Sequence, residues 1–459
     1  MIFSAPETML MLLWFLWCLM AVLAWLNVYR FHVREKRYER RNKNKNAHTP
    51  TAVVIIAIKG VNDHLHTLLD GMLTQDYPRY RIIFIVETKQ DPTFTFLRDM
   101  IDNWADVTAT ESVPLDTSSV RMAGEEHVPA QDVHMLTWQQ LEPAKISPGL
   151  QSLQLIVPGL SHNEAQKIHG QRVALKTLTD EDQALVFADA DAAMGPDWLE
   201  RLVQPLSKQS VGLATVWRWI VPADGERANL PTKIAAIGNA STVTLMGHTD
   251  RNYAWGGSMA IRRNVADQID LGECWRGCIN DDVSVSRAIK QHGKRLYLVA
   301  GMFVISPDRY TWRSLLTFGR RQHLFTKTYA PHVWATCCLG LALYTLSVVA
   351  TAIKLLTFSS GWGWAIAVLG FVAACDLGRA ETRRALVADI LPVDAQQNLR
   401  GVWNLERFAT PLWMAAHLVV SLSAIYRWRF KWGGIIYSVG GHRGRGTRIL
   451  QRLPYATIA

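Results

Sequence analysis

Ala184-Leu185-Val186-Phe187-Ala188-Asp189-Ala190-Asp191 is the stretch on which the reading of this chain turns. Apolar residues run without a polar break into two carboxylates one residue apart. A continuous apolar run suits a strand covered on both faces, as in a parallel sheet flanked by helices. Acids at its carboxyl end stand where ligands collect in an open α/β sheet. Working outward, similar runs recur at 52–58 and 82–87, with further candidate strands at 153–157, 211–221 and 295–305. Helical patterning fills 62–74, 163–178 and 283–292 between them. The alternation predicts an α/β domain with a mostly parallel sheet over 50–330. Residues 104–150 break the rhythm with polar, Ser-, Thr- and Pro-rich sequence and read as a surface insertion.

Beyond this block the chain turns apolar. Of 459 residues, 49% are hydrophobic and 19% charged, as when a soluble domain is averaged with a few membrane segments. Residues 8–28 carry no charge over 21 positions, enough for a helix to cross a ~30 Å hydrocarbon core. No small-residue cleavage site follows, so a signal peptide is excluded. Further uncharged stretches are 333–353, 362–375 and 408–426. We expect full spans at 333–355 and 408–427, with the 14-residue stretch 362–375 too short and therefore re-entrant or interfacial; the alternative is three spans with the tail outside. The net charge of +10 is concentrated in 30–45, with eight Lys or Arg against two Glu, and in 427–459, with seven and no acid. Both clusters adjoin apolar segments. They therefore point to a membrane surface and a cytoplasmic placement of the 50–330 block and of the basic 428–459 tail, and no nucleic-acid motif competes. Six cysteines without a second CxxxC-like pair read as reduced, mostly buried thiols rather than as a metal site.

Four motifs carry chemistry. Asp189 and Asp191 could hold a divalent cation by oxygen ligation against a diphosphate, or simply cap the next helix. Asn280-Asp281-Asp282 opens a predicted helix: one acid could be a general base and the other tune it, or both could serve the helix dipole. The neighbouring charge should raise one pKa of the pair. Gly256 and Gly257, in Trp255-Gly256-Gly257-Ser258, allow backbone to approach a ligand closely, or form a plain turn. Arg320-Arg321-Gln322-His323 lies in an amphipathic pattern over 311–328 that could rest on lipid headgroups or bring an arginine to a diphosphate.

These motifs, in this order and between these apolar segments, resemble the ceramide glucosyltransferase-like branch of the inverting GT-A glycosyltransferases, over nearly the whole chain. Lys59-Gly60-Val61-Asn62 is similar to that branch's early signature, and Glu87 through Asp91 to its first acidic motif at the nucleotide base. Thr88 stands where an aspartate is common. Lys167 falls at a donor-contacting lysine, and Phe430 to Tyr437 resembles the closing Trp/Tyr motif. The usual Arg-Trp ending is replaced by Leu324-Phe325, and the form Arg-Arg-Gln-His is similar to bacterial members. The resemblance implies a cytoplasmic GT-A (Rossmann-like) domain on a multi-pass bacterial inner-membrane protein. It also implies a UDP-sugar donor, Mg2+ or Mn2+ at Asp189 and Asp191, and Asp282 as the base with Asp281 beside it. Lys59, Glu87, Asp91, Lys167, Asp189, Gly256, Gly257, Arg321 and Gln322 would meet the donor. The acceptor implied is a lipid alcohol, such as ceramide or diacylglycerol, taken from the bilayer. A processive polysaccharide synthase shares the domain and the acids but usually has more spans. A non-catalytic membrane binding protein would have lost one carboxylate set, and neither is lost here.

Overall fold

The computed structural model describes residues 5–42, 47–61, 65–108, 146–246, 252–357, 361–426, 428–440 and 444–453. Its centre is a seven-stranded sheet in the order β3-β2-β1-β4-β7-β5-β8. The strands are β1 (Ala52–Ile58), β2 (Tyr80–Val86), β3 (Leu150–Ile156), β4 (Ala184–Asp189), β5 (Val211–Thr215), β7 (Ser258–Arg262) and β8 (Arg295–Leu298). β1 pairs in parallel with β2 and β4, and β5 with β8. Alternate residues of β1 explain its unbroken apolar run. Val54, Ile56 and Ile58 pack with the helices Leu65–Leu73 and Pro92–Thr108, while Val53 and Ile55 face the layer holding Ile168, Val285 and Ile289. Both faces are covered, so neither needs polar residues.

Three features depart from the sequence reading. β7 is antiparallel to both β4 and β5, so the sheet is mixed where it approaches the carboxylates. The expected strand 211–221 is two strands: Val216 leaves the sheet by donating its amide to Ser258, and β6 (Arg218–Pro222) pairs with β9 (Val304–Asp308) in a separate ribbon. The 295–305 run likewise divides into β8 and β9. Most of the expected insertion 104–150 lies outside the described residues.

The apolar helices correct the expected crossing pattern. Among the described residues three helices are long and apolar enough to cross a membrane: the N-terminal one (Ala5–Asn42), Pro331–Leu356 and Trp362–Ile390. The stretch 362–375 is therefore no short segment but the first half of a 29-residue helix. A charge count stops at Asp376, yet the helix continues because that carboxylate has partners inside the bundle. The Tyr344 hydroxyl donates to it at 2.6 Å and Arg379 pairs with it at 2.8 Å. One turn further, Arg383 is buried against Glu406. The expected span 408–427 is instead a 14-residue helix, Thr410–Ser423, which at ~1.5 Å per residue reaches only about 21 Å. Trp17 of the N-terminal helix packs edge-on against Tyr344, with ring centroids 5.5 Å apart. The amphipathic pattern is a helix, Trp312–Tyr329, opened by a capping box between Thr311 and Ser314. Residues 428–440 and 444–453 contribute a third sheet of β10 (Arg429–Trp432), β11 (Ile435–Ser438) and β12 (Arg448–Arg452), seated against the α/β domain.

Candidate active site

The carboxylates predicted from two separate stretches, Asp189 with Asp191 and Asp281 with Asp282, converge on the carboxyl end of β4. Lys167, near the start of the helix Gln166–Ala174, ties them together: its ammonium lies 2.6 Å from Asp189 and 2.8 Å from Asp281. The paired glycines are required by this approach. A Cβ on Gly256 would stand 2.5 Å from an Asp281 oxygen, and one on Gly257 would stand 2.7 Å from an Asp189 oxygen. Their need is therefore steric: a larger residue at Gly256 would displace the Asp281 carboxylate, and one at Gly257 would meet the Trp255 ring before the Asp189 oxygen. Gly257 serves from behind, its carbonyl accepting the Asp189 amide at 3.2 Å.

The two acids at the head of the helix Asp282–Gln291 do different work. Asp281 makes no side-chain cap; it is given over to Lys167 and to the Gln171 amide at 3.1 Å. The capping is done by Asn280, which accepts the Val283 amide at 2.8 Å. Asp282 accepts the Gly256 amide at 3.1 Å and the Val283 amide at 2.6 Å. Burial works to raise Asp281, but the Lys167 charge and hydrogen bond and the Gln171 amide outweigh it, holding that carboxyl below the usual range. Asp282 moves the other way, pushed up to about 7 by burial and by the Asp281 charge. Asp189 is also raised by burial, against the pull of Lys167. The acidic pair thus splits into one anchored anion and one acid poised near neutrality.

Asp191 lies within 3.4 Å of Arg218, and its other oxygen is buried with no protein partner. Such an orphaned carboxylate oxygen beside Asp189 fits a hard cation. Among the described residues no group of three or more His, Cys, Asp or Glu is arranged to hold a metal ion. A cation at Asp189 and Asp191 would complete its shell with ligand oxygens and water. Two guanidinium groups face this corner. Arg218 lies over the Trp255 and Phe318 rings, at 5.6 and 5.3 Å. Arg321 lies over Phe318 and Trp432, at 5.6 and 5.2 Å, and burial with the nearby Arg218 charge pulls it down to about 10. Two desolvated cations beside one another favour an anion between them. Arg320, in contrast, turns away to Ser423 at 3.0 Å.

Lys59 and Glu87, at the ends of β1 and β2, meet at 2.6 Å in the same cavity. Asp91 does not join them. It is 1% exposed, and its carboxylate accepts the Gly60 amide at 3.0 Å and the Thr93 amide at 2.9 Å, so it shapes the loop after β1. The cavity has a volume of about 770 Å³. One end holds Lys59, Glu87, Lys167, the four aspartates Asp189, Asp191, Asp281 and Asp282, and Gln322. The other is an apolar arm between the helix Trp312–Tyr329, the start of Pro331–Leu356 (Val333, Trp334) and Thr410–Ser423 (Trp413, Val420). The sequence reading missed Arg218, whose only signal is a lone charge inside an aromatic run, and Gln171, which carries none.

The sequence profile of the family described as "Glycosyltransferase like family 2" matches residues 48–324, more than half of the chain. No curated protein matches the sequence. Among solved structures, the mannosyltransferase PcManGT from Pyrobaculum calidifontis, in complex with GDP-Man and Mn2+, is 15% identical, with TM-score 0.44 over 90% of this chain and 99% of that one. TarS from S. aureus is 10% identical, with TM-score 0.32 over 87% and 60% of the two chains. A mycobacterial protein is 13% identical, with TM-score 0.30 over 60% and 77%. Likenesses this distant bear on neither donor nor acceptor.

Proposed function

The chain belongs to the glycosyltransferase family 2-like group, and from that premise we propose that it transfers a hexose from a nucleotide sugar, UDP-glucose or a close relative, to a lipid alcohol, inverting the anomeric carbon. The observation that carries the lipid reading is the shape of the cavity. Its polar end holds the carboxylates and its apolar arm runs between helices that adjoin the long apolar ones. An amphiphile can lie along it with its hydroxyl at the acids and its chains toward the bilayer.

In the proposed reaction Asp282 accepts the proton as the acceptor hydroxyl oxygen bonds to the anomeric carbon. The bond from that carbon to the diphosphate breaks, and the nucleoside diphosphate leaves with the electron pair. Lys167 and Asp281 keep the base in place, and Arg218 and Arg321 face the leaving charge. Glu87 and Lys59 take the base end of the nucleotide. A divalent cation held by Asp189 and Asp191 would neutralise the departing diphosphate.

The test is an assay of purified protein with lipid extract and several labelled nucleotide sugars. Label should pass into an organic-soluble product, vanish with excess chelator, and return with Mg2+ or Mn2+. Label recovered only as water-soluble polymer would instead support a processive synthase. Full activity in chelator would remove the cation from the reaction.

The proposed placement puts the catalytic unit on the side of both basic stretches, in the cytoplasm, with Pro331–Leu356 leading out and Trp362–Ile390 leading back. This pair of crossings returns the 428–453 segment to the catalytic side, where it packs. Single cysteines at 40 and 431 should resist an impermeant thiol reagent on intact cells. Labelling at 431 alone would overturn the crossing count.

A further inference from the structure

The sheet of β10, β11 and β12 adjoins the polar end of the cavity. β10 and β11 form a tight hairpin, Trp432 opposite Ile435, with Gly433 and Gly434 at φ of 53° and 71°. Positive φ at both central residues is what a two-residue turn of this hand demands, so paired glycines are the natural choice. The hairpin tip reaches the site: a Cβ on Gly433 would be 3.6 Å from the Lys59 side chain.

Three residues, Arg452, Tyr437 and Trp432, tie this sheet to groups at the donor end. Arg452 of β12 lies 3.5 Å from Glu87, on the oxygen opposite the one that meets Lys59. The same guanidinium donates to the Gln166 side chain at 2.7 Å and to the Ser161 carbonyl at 2.8 Å. The Tyr437 hydroxyl accepts the Gln166 amide at 3.2 Å. Gln166 immediately precedes Lys167, which holds Asp189 and Asp281. Trp432 meanwhile offers its ring to the Arg321 guanidinium.

We propose that this sheet is a working wall of the donor site, and that Arg452 is a positioning residue for the nucleotide. It acts by fixing the Glu87 carboxylate and the turn that presents Lys167. The inference rests on the donor reading given above. The Arg452 side chain is 23% exposed, most of it held between the sheet and the Ser161–Gln166 turn. A geometry this specific should be felt in donor affinity rather than in the chemical step.

The experiment uses full-length protein and measures nucleoside diphosphate binding, donor KM, kcat and thermal stability. Arg452→Ala should raise donor KM about tenfold, the scale of one hydrogen-bonded charge contact, with kcat within about twofold. Arg452→Lys should recover part of the loss. Unchanged KM in Arg452→Ala, or a fall in kcat alone, would overturn the proposal. Should that variant fail to fold, Trp432→Leu carries the same test through Arg321: a raised donor KM supports the proposal and an unchanged one overturns it. Wild-type protein that binds no nucleoside diphosphate would defeat the donor reading itself, an outcome separate from any effect of the variants.

Discussion

Replacing Asp282 with Asn is expected to cut transfer at least ~100-fold while leaving nucleotide binding in place, since general-base catalysis is worth ~10²–10⁴-fold. The Gly256 and Val283 amides donate to different oxygens of Asp282; the variant can keep its one oxygen for Gly256, because Asn280 also accepts the Val283 amide. What it loses is basicity. The wild-type carboxyl, raised to about 7 by burial and by Asp281, should give kcat/KM an acid limb with its midpoint near pH 7. Below that pH the base is protonated and idle. Stability should show the opposite sign. A carboxyl with a raised folded pKa favours the folded state when protonated, and that contribution is lost as pH climbs from the unfolded value, about 4, to about 7. Asp282→Asn removes this loss, so above pH 7 the variant should melt no lower than wild type. A helix-capping residue would behave the other way, with lower stability and nearly intact transfer. Near-normal transfer by Asp282→Asn would end the assignment and make Asp281 the next residue to examine.

Much of this site was legible because strand chemistry and loop chemistry differ along the sequence. Unbroken apolar runs announced β1, β2 and β4, and Asp189, Asp281 and Asp282 stood out as acids at element ends. Their roles were not legible. Asp91 looked as available as Glu87, yet its oxygens are taken by the Gly60 and Thr93 amides, which no spacing reveals. The choice of the third long apolar helix, Trp362–Ile390 rather than 408–427, was missed for a related reason. Hydropathy treats Asp376 as a helix end, whereas Tyr344, 32 residues earlier, supplies the hydroxyl that lets it stay buried. β7 escaped notice because its five residues follow two glycines and read as a turn. The division of 211–221 depends on Ser258, a partner more than 40 residues away in the chain. Arg218 and Arg452 become meaningful only beside Asp191 and Glu87, so sequence order alone could not select them.

Lys167→Met should be the most damaging single change in the protein for stability at neutral pH. The side chain keeps its length and apolar stem but leaves Asp189 and Asp281 without their shared cation, in a corner where Asp191 and Asp282 also stand. Removing one partner of a buried pair costs about 3–5 kcal/mol, because the remaining charge is uncompensated. In wild-type protein Asp281 is held below its ordinary pKa, so its contribution is present above the unfolded pKa and fades as pH falls through the folded one. In Lys167→Met that carboxyl has lost its main stabilising charge, and burial should raise it instead. Asp282, raised in wild type, already makes the fold gain stability on moving from pH 8 to pH 5, and with Asp281 raised as well the gain should be larger in Lys167→Met than in wild type. Transfer should fall at least ~100-fold, because electrostatic preorganisation around the base is lost along with the position of Asp189. Lys167→Arg keeps the charge and should retain more stability than Lys167→Met at pH 8. Melting curves of the three proteins at pH 5 and pH 8 decide the matter. If Lys167→Met melts like wild type at pH 8, the ammonium does not hold the two aspartates, and the geometry built on it, including the separate fates of Asp281 and Asp282, falls with it.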